Sequence, residues 1–553
     1  MKRPTAYHIT VAALLLLVVA TLWRLGHVEL RGEEPRRAVV ALEMLESGEF
    51  VVPHMSGHVY YNKPPVFNWF VAGCFALFGG TEAWMARLPS LLSFWMIGLL
   101  VFVASDRFLG RRSASWATLF YLTGGELLFY GTVMTAELDL FYSLIVFGQA
   151  LSIYGFMRSE KWSLLFVVSY ALAGLGFLTK GLPSIAFQGL TLFATLSAFG
   201  YWRRLLDLRH LLGILAFTGI VGGYFWLYAQ QEPVRPFLVS LFEEASQRTG
   251  LESRFSDVLE GTVNFPVVVL KLLLPWSLLV VWLVRRDAWR RLWANPWTKF
   301  CLVFCAVNMP LYWFSGELRN RYIYAFFPFL LIPIAHVFAA DREQRPRLSA
   351  WTDRVMQLVL AMLVIGALAV PFVEPFREFR GVLITGVLWT VVGANLLLLH
   401  WRRRDLRVPL FALALIVTRL AFDVAYLPAM NLSRVSGYPP HVEQMIEIAG
   451  DDPVWLSGSP ERHVREATIG PIRLGEVEYT IPPSIAYQIP WHYARLTGLT
   501  MKWKQSPESG DWCLVDRALL EASIKPRLEF RDHWTGRDLV LVRWTDEESE
   551  SER

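Results

Sequence analysis

Residues 7–25 read YHITVAALLLLVVATLWRL and follow the short basic start MKRP. A stretch of about 20 mainly apolar residues is long enough to cross a bilayer as one helix. A cleaved signal peptide is the alternative, but the apolar run is long and no small-residue cleavage site follows it. We therefore predict that the chain begins with a membrane-spanning helix.

Many further apolar runs follow the first one. Of the 553 residues, 54% are hydrophobic and only 18% are charged, whereas soluble proteins carry about 25% charged residues. This excludes a chain of three or four soluble domains, and 14% aromatic residues exclude a disordered chain. The predicted fold class is an all-α polytopic membrane protein with about thirteen transmembrane helices. After 7–25, the predicted spans are 86–106, 113–131, 140–157, 162–180, 182–201, 210–229, 264–284, 298–314, 322–340, 355–373, 381–400 and 408–427.

Arginine clusters in alternate loops orient these helices. Cytoplasmic loops carry an excess of Lys and Arg. If 65–80 does not span and the N-terminus is inside, every inner loop is basic and the outer loop 132–139 has no basic residue. Counting 65–80 as a span would place most of these arginines outside. We therefore predict that 65–80 lies at the membrane interface and that the C-terminus is outside.

The composition changes after Met430. Residues 431–553 lack apolar runs and contain alternating stretches such as 539–544, which is typical of a β-strand. We predict a transmembrane domain over 1–430, with interfacial helices within 27–82. A small soluble C-terminal α/β domain follows over 431–553 on the outer face, with a disordered acidic tail from Thr545.

The first outer loop has an unusual content of charged residues. Glu33 and Glu34 precede Pro35, which suits a first helical turn, and the apolar residues of 39–45 predict an amphipathic helix that ends at Gly48. A solvated acidic cap on a surface helix is one interpretation. The other is a general base, because the interleaved arginines hold nearby carboxylates ionised.

Five more outer residues carry charge. Lys63 stands before two prolines, Glu137 and Asp139 begin a span, and Lys180 and Arg321 lie in breaks between spans. A snorkelling lysine and helix capping are the structural alternatives. Together the residues predict an outer site with carboxylates beside cations. Such a site suits a nucleophile that must lose a proton and a phosphate leaving group.

These motifs, in this order and spacing, resemble a known family. They are Glu33-Glu34-Pro35-Arg36, Ser47-Gly48-Glu49-Phe50-Val51-Val52-Pro53, Tyr61-Asn62-Lys63-Pro64-Pro65, Ala86-Arg87-Leu88-Pro89-Ser90, Leu178-Thr179-Lys180-Gly181 and Arg321-Tyr322. The chain resembles the polyprenyl-phosphate-sugar-dependent glycosyltransferases of the GT-C fold over roughly residues 5–345. Within that fold it is most similar to the aminoarabinose transferase branch, which is related to the protein O-mannosyltransferases.

The resemblance implies roles for individual residues. Glu33 would be the general base, Lys63 would bind the donor phosphate, and the second acidic position would be Asp139 or, alternatively, Glu137. The remaining implied site residues are Glu34 on the catalytic side and Arg36, Tyr61, Lys180, Arg321 and Tyr322 on the substrate side. Three positions depart from the family pattern: this chain has Glu33 where the family usually has Asp, Asn62 where it usually has Glu, and Arg37 where it often has Tyr. These differences bear on the identity of the sugar and of the acceptor more than on the reaction.

The resemblance also implies a bacterial inner-membrane enzyme with a periplasmic active site. It would transfer a sugar from undecaprenyl phosphate to an envelope acceptor such as lipid A, another glycan or a protein, and it has no nucleic-acid partner. No cofactor is required. A divalent cation near the carboxylates is an alternative, although the motifs lack His and Cys ligand spacing.

Two other functions compete with this one. The chain could be a transporter or flippase of lipid-linked sugars, or a non-catalytic subunit of polysaccharide assembly. A transporter predicts charges near the bilayer midplane. Arg419 and Asp423 in the last span are such charges. We predict instead that they form a structural ion pair between helices.

Overall fold

The structure is a computed structural model. It describes residues 5–129, 133–248, 255–314, 319–374, 376–378, 381–428, 437–458, 461–469, 472–481, 484–520 and 524–544. The predicted boundary at residue 430 and the predicted acidic tail from Thr545 lie outside these residues.

Helices make up most of the described chain. The α-helices are α1 Ala6–Leu22, α2 Glu34–Ser47, α3 Val66–Phe78, α4 Ala83–Leu109, α5 Arg111–Leu122, α6 Gly125–Phe129, α7 Leu138–Arg158, α8 Trp162–Lys180, α9 Pro183–Ala198, α10 Arg209–Tyr228, α11 Val234–Arg248, α12 Phe255–Leu272, α13 Arg286–Ala294, α14 Pro296–Asn308, α15 Pro310–Trp313, α16 Phe327–Asp341, α17 Pro346–Ala369, α18 Val382–Arg402, α19 Arg407–Ala421, α20 Tyr438–Ala449 and α21 Gln488–Thr497. The strands are β1 His54–Met55, β2 His58–Val59, β3 Val454–Leu456, β4 Glu461–Ile469, β5 Ile472–Ile481, β6 Trp512–Asp516, β7 Leu528–Arg531 and β8 Asp538–Arg543.

The predicted multi-pass membrane fold is confirmed. Within the described residues, eight helices are long and apolar enough to cross a membrane, and a ninth is obtained if Gly261–Leu272 and Trp276–Leu283, bent by 116°, form one span. Every predicted span contains helix, but α1, α5, α9 and α14 have only 12–17 residues. At 1.5 Å per residue they measure about 18–26 Å, less than the hydrocarbon core of about 30 Å. The count of thirteen spans therefore stays a prediction.

The long helices share one apolar core and bring several helix ends together. In this core α4 packs on α5 and α7, α8 packs on α7 and α10, and α16 packs on α5. The start of α7, the end of α8 and the segment before α16 meet at one end of the bundle, which holds the site described below. The opposite ends of α4 and α16 are followed by Arg112 and Arg342.

The first loop folds onto that site end. As predicted, Pro35 lies in the first turn of α2 and the helix ends at Gly48. The structure shows in addition that Gly48 has the left-handed conformation. The apolar face of α2 packs on protein: Val39, Val40 and Met44 are buried. The segment predicted to be interfacial forms α3, whose 13 residues are too short to span.

The C-terminal residues have a sheet and a core of their own. Strands β3, β6, β8 and β7 form a sheet in that order, with β3 parallel to β6 and the other pairs antiparallel. Helices α20 and α21 cover it and share its apolar core. The strand predicted at 539–544 is confirmed as β8. We call residues 438–544, as described, the C-terminal module.

The C-terminal module docks on the first loop. The Trp503 amide donates to the Ser56 carbonyl at 2.9 Å, and His492 pairs with Glu29. Trp491 stacks on Phe75 of α3 at 6.2 Å between ring centroids and joins the main apolar core. The module and the first loop therefore lie at the same end of the helices.

A buried carboxylate supports the hairpin that the module contacts. Ser56 and Gly57 form the turn between β1 and β2 with positive φ angles of 54° and 77°, the pattern of a tight hairpin turn. Both amides donate to Glu43, whose side chain is buried. Burial raises the pKa of Glu43 from 4.5 to about 7, against the lowering effect of these hydrogen bonds.

This raised pKa predicts a pH-dependent stability. The folded protein holds the Glu43 proton more tightly than the unfolded chain, so the stabilisation is full below pH 4.5 and is lost as the pH rises through about 7. The shift is equivalent to about 3 kcal/mol. We expect the apparent melting temperature in detergent to fall between pH 5 and pH 8, and Glu43→Gln to flatten that slope. An equal slope in the variant would contradict the assignment.

Candidate functional site

The centre of the site is an ion-pair network where three helical segments meet. Asp139 lies in the first turn of α7, Lys180 is the last residue of α8, and Arg321 lies in the 3₁₀ segment Asn320–Phe326 before α16. Lys180 Nζ is 2.5 Å from Asp139 Oδ1, and Arg321 Nε is 3.5 Å from Asp139 Oδ2. Arg321 Nη1 is also 2.6 Å from Glu137 Oε1. The structure thus brings together four of the predicted site residues.

Aromatic rings and a further lysine complete this network. Lys180 Nζ lies 5.1 Å from the ring centroid of Tyr142 and 4.6 Å from that of Tyr322, within the range of cation–π attraction. Lys63 is buried, and its charge acts on Asp139. Three cations therefore surround two carboxylates, which gives the centre an excess of positive charge.

Glu137 differs from Asp139 in its surroundings. Its side chain is 16% exposed, against 4% for Asp139, and it stands just before the first turn of α7. Burial raises the pKa of Glu137, and the Arg321 guanidinium opposes that rise. Of the two carboxylates it is the more accessible to a bound molecule.

Glu34 ties the first loop to the bundle. Its carboxylate is buried and receives two hydrogen bonds from Arg87 of α4, at 2.8 and 3.1 Å. The backbone amides of Arg31 and Ala136 also donate to it, at 3.1 and 2.7 Å. All these donors occupy the carboxylate, so the geometry favours a structural role for Glu34 over the catalytic role that the sequence predicted.

This arrangement predicts that Arg87 is needed for folding. Arg87→Ala leaves the Glu34 carboxylate buried without its cation, which typically costs about 3–5 kcal/mol. We expect a large loss of monodisperse protein in detergent gel filtration and a lower apparent melting temperature. As a control, Arg111→Ala removes an exposed arginine whose pair with Asp106 lies at the opposite end of α4, and it should behave as wild type.

Glu33 and Arg36 form a second pair at the start of α2. Glu33 precedes the helix and is ion-paired with Arg36, one turn on, and its side chain is 29% exposed. Arg36 also lies over the rings of Tyr60 and Tyr487, at 5.6 and 5.2 Å from the centroids. The C-terminal module thus reaches the first turn of α2 through Tyr487.

Two further residues of the first loop, Tyr61 and Arg37, interact with neighbouring side chains. Tyr61 is half-buried and interacts electrostatically with Tyr228 of α10. Arg37 donates to the Tyr60 hydroxyl at 2.8 Å, and its charge acts on Glu137. No role is predicted for Arg37 from the sequence, where it appears only as a departure from the family pattern.

Two residues near the site, Arg87 and Tyr487, were not predicted from the sequence to have a role. An isolated charge within an apolar span is costly, so an arginine there indicates a buried partner. The position of Arg87 in a predicted span could therefore have indicated its ion pair. No sequence pattern links Tyr487 to the site, since it is 451 positions from Arg36 along the chain.

The described residues contain no group of three His, Cys, Asp or Glu side chains placed to hold a metal ion. Arg419 and Asp423 do form the predicted ion pair, at 2.9 Å and fully buried. The pair lies within one helical segment, Arg404–Tyr426, and not between helices as predicted, because the two residues are one turn apart. Arg419 also donates to the Leu128 carbonyl, which links this segment to α6.

Comparisons with known proteins agree with the motif-based resemblance. Residues 62–226 match the family described as dolichyl-phosphate-mannose-protein mannosyltransferase. An undecaprenyl phosphate-alpha-4-amino-4-deoxy-L-arabinose arabinosyl transferase of Serratia proteamaculans is 29% identical over 365 residues, which are 64% of this chain and 64% of that protein. The enzyme of the same name from Aeromonas hydrophila is 26% identical over 378 residues, 65% of this chain and 67% of that protein.

A solved structure extends the likeness to the whole fold. The crystal structure of ArnT from Cupriavidus metallidurans bound to undecaprenyl phosphate aligns with a TM-score of 0.68 and 20% identity, over 96% of this chain and 97% of that one. The predicted fold class, a polytopic helical protein of GT-C type with a small C-terminal sheet region, is confirmed, and so is the resemblance to aminoarabinose transferases. The sequence similarity spans about two thirds of the length of the curated relatives.

Proposed function

We propose that the protein is an integral membrane glycosyltransferase. It moves a sugar from an undecaprenyl-phosphate donor to an envelope acceptor such as lipid A, with inversion at the anomeric carbon. The observation that carries the proposal is the convergence of Lys63, Lys180 and Arg321 on Asp139 at one end of the bundle. The names of the relatives supply the substrate class.

In this proposal some residues of the site bind substrate and others hold their neighbours in position. Lys63 and Arg321, whose charges both act on Asp139, meet the donor phosphate, because fixed cations stabilise a phosphate best as its charge grows in the transition state. Lys180 is held by Asp139 at 2.5 Å, so it acts by keeping Asp139 in place between the cations. Tyr322, whose ring centroid lies 4.6 Å from Lys180 Nζ, and Tyr61 contact the substrate in this proposal. Arg36 positions Glu33 through their ion pair.

Glu33 is the general base in this proposal. Among the three residues predicted to be catalytic it is the most exposed, at 29%, against 1% for Glu34 and 4% for Asp139. It takes the proton of the acceptor hydroxyl as that oxygen bonds to the anomeric carbon. The bond from this carbon to the phosphate oxygen breaks, and undecaprenyl phosphate leaves with the electron pair. No step needs a cofactor.

The proposal places the site and the C-terminal module on the periplasmic face of the inner membrane, with the N-terminus in the cytoplasm. Contacts such as Trp503 with Ser56 support the same side for the module and the first loop. Arg112 and Arg342, at the far ends of α4 and α16, support a cytoplasmic position for that end by the positive-inside rule.

An assay with purified protein tests the proposal. Radiolabelled undecaprenyl-phosphate aminoarabinose and lipid A are incubated with the enzyme in detergent, and the product is identified by mass spectrometry and by the NMR configuration of its anomeric carbon. We expect labelled lipid A with inverted configuration, with and without EDTA. In proteoliposomes, movement of label across the bilayer without a new bond would indicate a transporter instead.

A further inference from the structure

A cavity rich in arginine lies at the end of the helices opposite Asp139. Its volume is 930 Å³, and it lies among the first residues of α1, α5, α17 and α19 and the last residues of α18. Among the described residues, five arginines and three carboxylates line it: Arg112, Arg342, Arg354, Arg404 and Arg407, with Glu343, Asp353 and Asp405. The cavity therefore has an excess of positive charge at a place where membrane helices end.

The carboxylates of this cavity leave part of its positive charge without a counterion. Asp353 is shared by two of the arginines, Arg342 at 2.6 Å and Arg407. Asp405 pairs at 2.9 Å with Arg403, which does not itself line the cavity. One carboxylate thus serves two cations of the wall, and another is held by a cation outside it.

Two further arginines of the wall are available to a ligand. Arg354 and Arg404 are exposed, and within the described part of the chain neither has an ion-pair partner. An anion in the cavity would gain charge-assisted hydrogen bonds from them without breaking an existing pair. The cavity therefore favours a phosphate or a similar oxyanion as its ligand.

The cavity continues into an apolar groove between α1, α4 and α5. Arg112, Trp116 and Pro409 line both spaces, and the groove has a volume of 620 Å³. Its α1 wall runs from Tyr7 to Val18, which is about 16 Å of helix at 1.5 Å per residue. This length is close to one leaflet, which is half of a hydrocarbon core of about 30 Å.

Trp116 lies at the border between the polar cavity and the apolar groove. The Arg112 guanidinium lies 4.9 Å from its ring centroid and that of Arg342 lies 5.9 Å away, within the range of cation–π attraction. On the groove side the wall includes the exposed residues Val11 and Leu99. Tryptophan is enriched where lipid headgroups meet hydrocarbon, so this border has the composition of a headgroup boundary.

We propose that this cavity and groove bind an anionic phospholipid, such as phosphatidylglycerol. Its phosphate would lie among the arginines, with Arg354 and Arg404 as donors, and one acyl chain would lie in the groove between α1 and α4. Phosphates pair with arginine, and basic pockets between membrane helices bind anionic headgroups. The site is at the opposite end of the bundle from the proposed transfer site and goes beyond the proposed function.

The two adjoining spaces favour an anionic phospholipid over other ligands. A soluble phosphate would use the arginines but leave the groove unfilled. A zwitterionic phospholipid would fill the groove but bring a second cation to a wall with excess positive charge. The undecaprenyl-phosphate donor is assigned to the other end of the bundle, where Lys180 and Arg321 contact Asp139.

Lipid binding by the purified protein tests this inference. Delipidated protein in detergent is titrated with dioleoyl-phosphatidylglycerol or dioleoyl-phosphatidylcholine, and bound lipid is counted by native mass spectrometry. We expect the wild type to bind phosphatidylglycerol at least about tenfold more tightly than phosphatidylcholine. The double variant Arg354→Gln, Arg404→Gln should bind phosphatidylglycerol about tenfold more weakly or worse, because each arginine beside an anionic lipid contributes roughly fivefold in affinity.

The double variant Arg347→Gln, Arg402→Gln is the matched control. Both arginines are exposed, lie on α17 and α18 at the same end of the bundle, and do not line the cavity. The control loses the same charge and should keep the affinity of the wild type. An equal loss in both double variants would indicate unspecific attraction to the lipid, and no loss in Arg354→Gln, Arg404→Gln would remove the phosphate from this cavity. Either result overturns the inference.

A pair of variants on α1 tests the groove. Val11→Trp fills it and should weaken phosphatidylglycerol binding about tenfold, since overfilling an apolar site is costly. Leu15→Trp changes a residue that is 66% exposed and does not line the groove, so it should bind as wild type. Equal binding by the two variants would contradict the placement of the acyl chain.

Two other probes separate the lipid from other sources of phosphate. Glycerol phosphate carries the anion without acyl chains, and undecaprenyl phosphate carries it on a polyprenyl tail. We expect neither to displace bound phosphatidylglycerol at equal concentration. Displacement by glycerol phosphate would make this a site for soluble anions, and displacement by undecaprenyl phosphate would give it to the polyprenyl ligand. Both outcomes overturn the assignment to a phospholipid and leave the proposed function unchanged.

Discussion

Lys63→Ala should reduce transfer by about 100-fold or more, because it removes a fixed cation from the proposed phosphate site. Lys63 is buried and its charge acts on Asp139, so water cannot replace it at low cost. The loss should appear in kcat/KM for the donor, since the phosphate is held both before and during bond cleavage. Steady-state kinetics with a radiolabelled donor measure it.

Lys161→Ala provides the control for this prediction. Lys161 lies between α7 and α8 at the end of these helices opposite Asp139 and is exposed. The substitution removes the same charge from the chain without touching the site. Both variants should give monodisperse protein with near wild-type melting temperatures. Near-normal turnover by Lys63→Ala would remove Lys63 from the phosphate site.

Glu33→Gln should lower kcat by about 10²–10⁴-fold, the usual contribution of a positioned general base. The amide keeps the size of the side chain but cannot take up the acceptor proton. Donor binding should persist, because in the proposal Glu33 does not contact the phosphate. Glu33→Asp should retain far more activity, since it keeps a carboxylate at this position and shortens the side chain by only one methylene.

The control for Glu33 is a carboxylate at the far end of the bundle. Glu343 is 77% exposed and pairs with Arg112, so Glu343→Gln should leave kcat unchanged. If Glu33→Gln keeps wild-type kcat, the base must be another carboxylate, and Glu137 is the next candidate because it is 16% exposed and lines a cavity of 960 Å³.

The contrast between Glu33 and Glu34 shows why neighbouring residues of one type can differ in role. The two carboxylates are adjacent in a charged motif, and the sequence predicted catalysis for both. The fold buries Glu34 against Arg87 and leaves Glu33 partly exposed beside Arg36. Which carboxylate meets a cation from another helix depends on how α2 docks on α4, and helical periodicity does not contain that information.

The sequence by itself determined the membrane class, the helix positions and the residues that form the ion-pair network. Long apolar runs must be helical in a bilayer, because every backbone polar group there needs an internal partner. The charged residues between these runs stand out in a chain of low charge, which is why the sequence could single them out. Only the tertiary structure decided which charges pair. Asp139 meets Lys180 and Arg321 across 41 and 182 positions of sequence, and Tyr487 reaches Arg36 from the C-terminal module. Such long-range contacts follow from the packing of helices on one another, and local sequence pattern specifies the apolar faces but not their partners.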